Sequence, residues 1–452
     1  MKDLKQFSDE INKCVLCGTC RGVCPTFGVI NREPASARGK AALCGAYLNK
    51  EIELSDVFIK QMNECVQCMA CKTACPNDVN VPDIILSARA EIAKEKGLPF
   101  VKSFILGNIL DSARLMPATM KFASKLQGFL FKDVPEESGL HRRFPLPLID
   151  ERRLVPPLAE RFFLEVRSQK PAPAGNKHGS EARSQENSSQ FTVHSSRPRI
   201  GFFAGCLINY MLPSIGEASL KVLESAGASV IVPLDQHCCG MPALGSGDIE
   251  TAKSLALKNL EAFEQYELDY ITTACATCSD GLKRRFKELL YDEGEDVRKR
   301  VERFSSKVRD ITELLINELR ITNYELRILN PKSEIRNPKS IVTYHDPCHL
   351  RRGQGIADEP RELIEMSGAK LKEMSHPCRC CGLGGSFNIT NYDFSMEINR
   401  NKAEDIKNTG ADIVATACPG CMIQIKDGLH QLGADTKVVH VVELLADNTN
   451  RQ

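Results

Sequence analysis

The 452-residue chain has no tryptophan, and aromatic residues make up only 6% of it. That removes the usual stacking platforms for single-stranded nucleic acid. An excess of one charge is missing too. Lys and Arg number 59 against 58 Asp and Glu, a formal net charge of +1, so the chain as a whole offers no electrostatic footprint for nucleic acid or for an anionic membrane surface. No run approaches the roughly 20 apolar residues that span a bilayer. The best candidate, 104–110, is short and lies between Lys102 and Asp111. The start, Met1-Lys2-Asp3-Leu4-Lys5, is charged and leads into no apolar core, unlike a secretory leader. These absences predict a cytoplasmic protein, or one held peripherally at the inner face of a membrane through a partner.

Cysteine is abundant: there are 20. Without export a disulfide framework is disfavoured, and spacing then decides for metal. Nine of the cysteines fall in residues 1–95 and none in 96–168. The latter segment reads as a helical connecting region, interrupted at Pro117. Residues 169–198 are polar and rich in Ser, Pro and Gly, and read as a flexible linker. From residue 200 onward, short apolar runs at 200–204, 230–233, 270–273, 341–344, 413–416 and 438–442 alternate with helical segments. That alternation predicts α/β architecture with largely parallel strands. Glu318-Leu319-Arg320-Ile321 recurs as Glu325-Leu326-Arg327-Ile328, and Asn330-Pro331-Lys332-Ser333 as Asn337-Pro338-Lys339-Ser340. The prolines argue against a coiled coil, so 316–340 reads as a low-complexity surface insertion. The domain map is then 1–95 ferredoxin-like, 96–168 helical connection, 169–198 linker, 199–304 first module, 305–340 helix end and insertion, and 341–452 second module.

Two ferredoxin-type runs stand in the first domain. Cys14, Cys17, Cys20 and Cys24-Pro25 repeat the spacing of Cys65, Cys68, Cys71 and Cys75-Pro76. In such runs three cysteines of the tight loop hold one cubane cluster, and the fourth serves the other cluster. The spacing therefore assigns Cys14, Cys17, Cys20 and Cys75 to one [4Fe–4S] cluster, and Cys65, Cys68, Cys71 and Cys24 to a second. Zinc is the competing reading of paired C-x2-C, but zinc sites rarely use four cysteines ending in Cys-Pro, twice. The helical segment 40–48 between the runs points to an α-helical ferredoxin variant.

The C-terminal half repeats itself. Cys206 and Cys348 are 142 residues apart, as are Cys238-Cys239-Gly240 and Cys380-Cys381-Gly382; Cys275-x2-Cys278 and Cys418-x2-Cys421 are 143 apart. Five cysteines in one order at conserved spacing mark an internal duplication. Each group follows a strand-like run, so the thiols should gather at the carboxyl edge of a parallel sheet. Five thiolates at one spot exceed the four of mononuclear zinc and point to a multi-iron cluster.

These motifs, with CVLCGTCRGVCPTFGVINREPASARGK and His345-Asp346-Pro347-Cys348-His349, resemble the CCG-domain superfamily. It includes heterodisulfide reductase catalytic subunits and the iron–sulfur subunits of glycolate oxidase and lactate-utilisation complexes. The resemblance implies an α+β multidomain chain: an N-terminal α-helical ferredoxin-like domain, then a duplicated α/β CCG domain with parallel sheets. It implies one or two further iron–sulfur clusters of noncubane type, held by Cys206, Cys238, Cys239, Cys275 and Cys278 and by Cys348, Cys380, Cys381, Cys418 and Cys421. Zinc in one module is the alternative. No Gly-x-Gly-x-x-Gly follows a strand, so the two-electron chemistry falls to a partner: a flavin-containing dehydrogenase of a 2-hydroxy acid such as glycolate or lactate, another redox subunit, or a membrane-bound quinone-linked complex. The rival function is disulfide reduction at a CCG-bound cluster by this chain itself. A third is a relay protein with structural zinc. Cys44 reads as an inert buried thiol and Cys378 as a neighbour of the second module. Of His237, His345, His349 and His376, His349 is the candidate proton donor.

Overall fold

The computed structural model describes residues 2–133, 139–146, 149–169, 197–322 and 340–446. The first domain is helical. Its main helices, Ala37–Leu48 and Val81–Lys96, enclose a small core of Leu4, Phe58, Met62, Ile84 and Ile85. Ser36 starts the first of these helices by accepting from the Gly39 amide at 3.0 Å, a side-chain cap for a donor with no partner inside the helix. The expected helix at 40–48 is therefore present and begins three residues earlier.

The connecting region is a helix Phe100–Phe104 that runs on as a π-helical turn Ile105–Leu110, followed by the helix Leu115–Leu130. Pro117 does not break this second helix. It lies in the first turn, where a missing N–H costs nothing. Strands β1 (Phe131–Asp133) and β2 (Leu140–Arg142) pair antiparallel behind it. Most of the expected linker, 170–196, lies outside the described residues.

Two four-stranded parallel sheets follow. The first contains β3 (Arg199–Phe202), β4 (Ser229–Ile231), β5 (Tyr270–Thr273) and β6 (Val308–Asp310) in the order β4-β3-β5-β6. The second contains β7 (Ile341–His345), β8 (Lys370–Leu371), β9 (Ile413–Thr416) and β10 (Lys437–His440) in the order β10-β9-β7-β8, the same topology read from the other edge. The likeness of the halves extends past the cysteines. Asp310 and His440 end the fourth strands, and each accepts from the amide two residues on: Thr312 at 3.0 Å and Val442 at 3.2 Å. Each also has a glutamate three residues on that takes its own amide proton, Glu313 and Glu443. Both halves therefore open their last helix with the same reciprocal cap.

β6 and β8 lie outside the apolar runs that mark the other strands. β6 is three residues long and emerges directly from the helix Glu295–Lys307, and β8 has only two residues, too short for an alternating pattern. β6 carries the first module past residue 304. Residues 316–322 correct the surface-insertion reading. Ile321 is 5% exposed, Ile316 and Leu319 pack on the core, and Glu318 holds Arg309 at 2.8 Å and the Tyr270 hydroxyl at 2.9 Å. The remainder, 323–339, lies outside the described residues. One apolar core runs through both modules. A small separate cluster, Val66, Cys68, Ala70, Cys348, Cys380, Phe387 and Ile398, joins the first domain to the second module.

Candidate metal centres

The two ferredoxin-type runs fold as the same loop. The residues beside each central cysteine take positive φ: Leu16 (55°) and Gly18 (86°) around Cys17, and Gln67 (54°) and Met69 (60°) around Cys68. Three of the four are not glycine, and left-handed backbone costs such residues roughly 1–2 kcal/mol each. Strain of this kind persists where a site needs successive N–H groups turned toward an anion. Cys14, Cys17, Cys20 and Cys75 line one cavity; Cys24, Cys65 and Cys68 line a second. Cys71 borders both. Cys24 and Cys75 have thus crossed to the cavity of the opposite run.

Buried cations surround the second cavity. Lys40 is 1% exposed and donates to the Gln61 carbonyl; burial lowers its pKa, while the thiols of Cys65 and Cys24 favour its charge. Arg89, also buried, donates to the carbonyls of Met62 (2.8 Å), Asn63 (3.2 Å), Cys65 (2.6 Å) and, in the first module, Gly245 (2.8 Å). Arg352 of the second module reaches back to the carbonyls of Cys68 (3.2 Å) and Cys378 (2.7 Å). Thiols gathered from both runs, with cations packed around the second cavity, suit a thiolate-bound cluster, whose net charge is negative.

In the modules the sheet order has its switch point between β3 and β5 and again between β7 and β9, where the carboxyl ends of strands leave a crevice. Cys206 follows β3, Cys275 and Cys278 follow β5, Cys348 follows β7, and Cys418 and Cys421 follow β9. Gly240 (φ 75°) and Gly382 (φ 90°) follow the paired cysteines in left-handed backbone. At Gly382 a Cβ would lie 2.6 Å from the Ser395 carbonyl, so the third letter of Cys-Cys-Gly admits no side chain.

All ten module cysteines are linked by thiol contacts. Cys238 neighbours Cys206 and Cys239; Cys239 and Cys278 sulfurs are 3.5 Å apart; Cys275 neighbours Cys278. In the second module Cys380 neighbours Cys348 and Cys381, Cys381 and Cys421 sulfurs are 3.6 Å apart, and Cys421 neighbours Cys418. The two sets touch where Cys275 meets Cys418. The backbone joins them at the same place: Ala276 donates to the Ala417 carbonyl at 3.1 Å. The residue equivalent to Ala276 is Pro419, which has no N–H to return the bond. Cys380 also meets Cys68 of the second ferredoxin-type run. Thiols beside thiols share protons unequally. The contact with Cys238 and that with Cys278 pull Cys239 well below the ordinary thiol range, whereas Cys238 is pushed well above it by Cys206 and Cys239. Cys381 and Cys418 are lowered in the same manner, by Cys380 and Cys275 first.

The halves are not chemically equal. His345 stands where the first module has Phe203, and His349 where it has Leu207. His345 is fully buried and shares a 4.8 Å cluster of donor atoms with Cys381 and Cys421. Burial opposes the charge on His349, but Cys348, Asp280 and Cys418 outweigh it and hold the imidazole at about 9. His237 lines a cavity of about 320 Å³ with Cys206, Cys238, Tyr210 and Met116. His376 is largely exposed and makes its nearest ion pair with Asp405, at 3.8 Å. Cys378 lies beside the second module through its carbonyl bond to Arg352. Cys44 is buried against Met62, and burial pushes its thiol up to about 12, as befits an inert core thiol. Lys40, Arg89, Arg352 and Asp280 carry no sequence signal, because single charges leave no periodic pattern, whereas the Phe203/His345 contrast is visible in the repeat.

The family model of the 4Fe-4S dicluster domain matches residues 10–79, and that of the CCG Cysteine-rich domain matches twice, at 200–283 and 342–426. The chain is a CCG-domain iron–sulfur protein. This CCG-domain protein is 29% identical over 465 residues to the "Probable glycolate oxidase iron-sulfur subunit" of Bacillus subtilis, covering 99% of this chain and 98% of that protein. It is 36% identical over 249 residues to a subunit of the "Fumarate reductase (CoM/CoB)" of Methanothermobacter marburgensis, covering 55% of this chain and 46% of that one. "Lactate utilization protein A" of an Exiguobacterium species is 29% identical over 255 residues, 56% of this chain and 99% of its own length. These relatives are iron–sulfur subunits and related proteins of oxidoreductase systems. Among the described residues no helix is long and apolar enough to cross a membrane.

Proposed function

We propose that this protein is the electron-transfer subunit of an oxidoreductase complex, serving a flavin-dependent dehydrogenase of a 2-hydroxy acid of the glycolate or lactate type. The observation that carries the reading is the unbroken line of thiols: the second ferredoxin-type cavity reaches the second module through Cys68 and Cys380, and that module reaches the first through Cys418 and Cys275. Iron–sulfur clusters, when bound, take up and release single electrons. In this reading Cys14, Cys17, Cys20 and Cys75 hold one cubane, and Cys65, Cys68, Cys71 and Cys24 the other. Cys206, Cys238, Cys239, Cys275 and Cys278 hold the first module's group, and Cys348, Cys380, Cys381, Cys418 and Cys421 the second's. Lys40, Arg89 and Arg352 offset the negative charge of these sites, and His349 lies beside Cys348. The names of the relatives support a 2-hydroxy acid as the electron source.

The test is anaerobic purification from the native host, followed by addition of glycolate or lactate. A flavoprotein should copurify, and the hydroxy acid should bleach the iron–sulfur absorbance of this chain. Bleaching by neither acid, with or without the copurified flavoprotein, would reject the reading. A second reading, disulfide reduction at a module of this chain, has its own support: both five-cysteine sets are complete, and the cavity of about 320 Å³ opens on Cys206 and Cys238. Release of two thiols per disulfide by the reduced chain alone would favour it.

A further inference from the structure

The helix Leu115–Leu130 has sixteen residues and buries none of them. Yet its sequence, LMPATMKFASKLQGFL, is mostly apolar, with only Lys121 and Lys125 charged. Leu115, Phe122, Leu126 and Phe129 are spaced i, i+7, i+11 and i+14. At 3.6 residues per turn these four fall within an arc of about 60°. They form one stripe, and it faces solvent: Phe122 is 65% and Phe129 68% exposed. The preceding helix repeats the pattern. Phe100 is 83% exposed, its ring stacks on that of Phe104 at 6.4 Å, and Val101 and Ile105 are exposed beside them. Half of the exposed large apolar side chains of the described residues belong to the single segment 100–130. A monomer in water does not ordinarily leave such a surface uncovered.

The charge around the surface indicates what covers it. The near-zero net charge of the whole chain conceals a local excess. The helical pair, residues 100–130, holds Lys102, Arg114, Lys121 and Lys125 against a single acid, Asp111. Asp111 is turned inward, where it accepts from Ser254 at 2.9 Å and pairs with Lys258 at 2.8 Å. Lys121 is paired with Glu165 at 3.0 Å. Lys125 lies about 80° round the helix from Leu115, at the margin of the stripe. The exposed charged residues of the helical pair itself, Arg114 and Lys125, are both cationic. Apolar aromatic and aliphatic side chains on one face with Lys and Arg at its edge are the make-up of a helix that lies in the plane of a membrane surface, and the lysine stems can reach the headgroups while the rings sink among the acyl chains.

We propose that the helical pair 100–130 is an interfacial anchor that seats this protein directly on an anionic phospholipid surface, with no spanning segment and no partner needed for attachment. The same pair walls the cavity at Cys206 and Cys238 through Leu110, Met116 and Pro117, so attachment sets the first module close to the lipid. The inference stands independently of the hydroxy-acid reading.

The absence of tryptophan provides a clean probe. Phe122→Trp places one indole on the stripe of the otherwise tryptophan-free full-length protein, loaded anaerobically. On addition of phosphatidylcholine vesicles containing phosphatidylglycerol, emission should shift to the blue and be quenched by brominated acyl chains. Pure phosphatidylcholine should do so at least tenfold more weakly. The parent chain should cosediment with the anionic vesicles, and the doubly changed Phe122→Ser, Phe129→Ser chain should lose at least tenfold in partitioning at unchanged iron content. An indole that stays unshifted with anionic vesicles overturns the proposal. So does sedimentation unaffected by the double change, and so does an indole that responds only when a copurified protein is added, which would mark the surface as a protein interface.

Discussion

The equivalent helix caps at Asp310 and His440 should give the CCG domain opposed pH slopes. Asp310 is fully buried, and burial raises its pKa from 3.8 to about 7, against hydrogen bonds from the Thr312 amide and hydroxyl and from Ser279. The folded state therefore holds a proton that the unfolded chain releases. The contribution of Asp310 is fully present below about pH 4 and is lost as pH rises to about 7. His440 is buried too, and burial lowers its pKa from 6.5 to about 4. Its Nδ1 must stay unprotonated to accept from Val442. Here stability is present above about pH 6.5 and lost as pH falls to about 4. At 1.36 kcal/mol per unit the two swings are about 4 and about 3 kcal/mol. Asn caps a helix as Asp does, so Asp310→Asn keeps the bonds and removes the titration. Between pH 5 and 8 the parent should fall by about 2–3 kcal/mol relative to Asp310→Asn, equivalent to about 5–10 °C in Tm for a domain of this size. Thermal unfolding followed by circular dichroism under anaerobic conditions reads this directly. His440→Asn should flatten only the acid side. Parallel Tm curves for the parent and Asp310→Asn from pH 5 to 8 would refute the reasoning.

Further outcomes follow from the same structure. Cys239→Ser and Cys381→Ser should each abolish the paramagnetic signal of one module while leaving both cubane signals, because the ferredoxin-type cavities use separate thiols; loss of every signal in either variant would contradict this. Arg352→Gln removes a cation lying between Cys68 and Cys378, an interaction of about 2 kcal/mol at an effective dielectric of about 20. The second cubane should then titrate lower by about 100 mV, and an unchanged midpoint in a redox titration followed by electron paramagnetic resonance would count against the placement. Deleting 323–339 should leave iron content and unfolding temperature unchanged, whereas deletion from residue 316 should cost several kcal/mol by removing the buried Ile321 and its neighbours; equal stability of the two deletions would show that 316–322 is dispensable.

Much of this is legible because metal chemistry imposes spacing. The two cysteine runs and the 142-residue repeat locate the thiols that the fold brings together, and strands 270–273 and 413–416 match to the residue. What sequence does not show depends on tertiary context. β8 is two residues held by β7, with no pattern of its own. Ile321 sits in a repetitive, polar-looking stretch, and only its packing shows that it is core. The expected strand 438–442 ends at His440, since the cap formed with Glu443 turns the chain into a helix. Arg89 ties four carbonyls from two domains together, a role invisible in a helix that reads as ordinary. The apolar stripe of Leu115–Leu130 reads as helix, but sequence alone cannot tell a face turned to the core from one turned outward.

The central claim is that all four thiol sets are redox centres on one path. Combined iron and zinc analysis of the full-length protein, purified without oxygen, tests it most directly. Two cubanes alone supply about eight irons. The account predicts clearly more than eight per chain, with zinc below stoichiometric in both modules. Eight irons or fewer, with one or two zinc ions per chain, would make at least one module structural and contradict it.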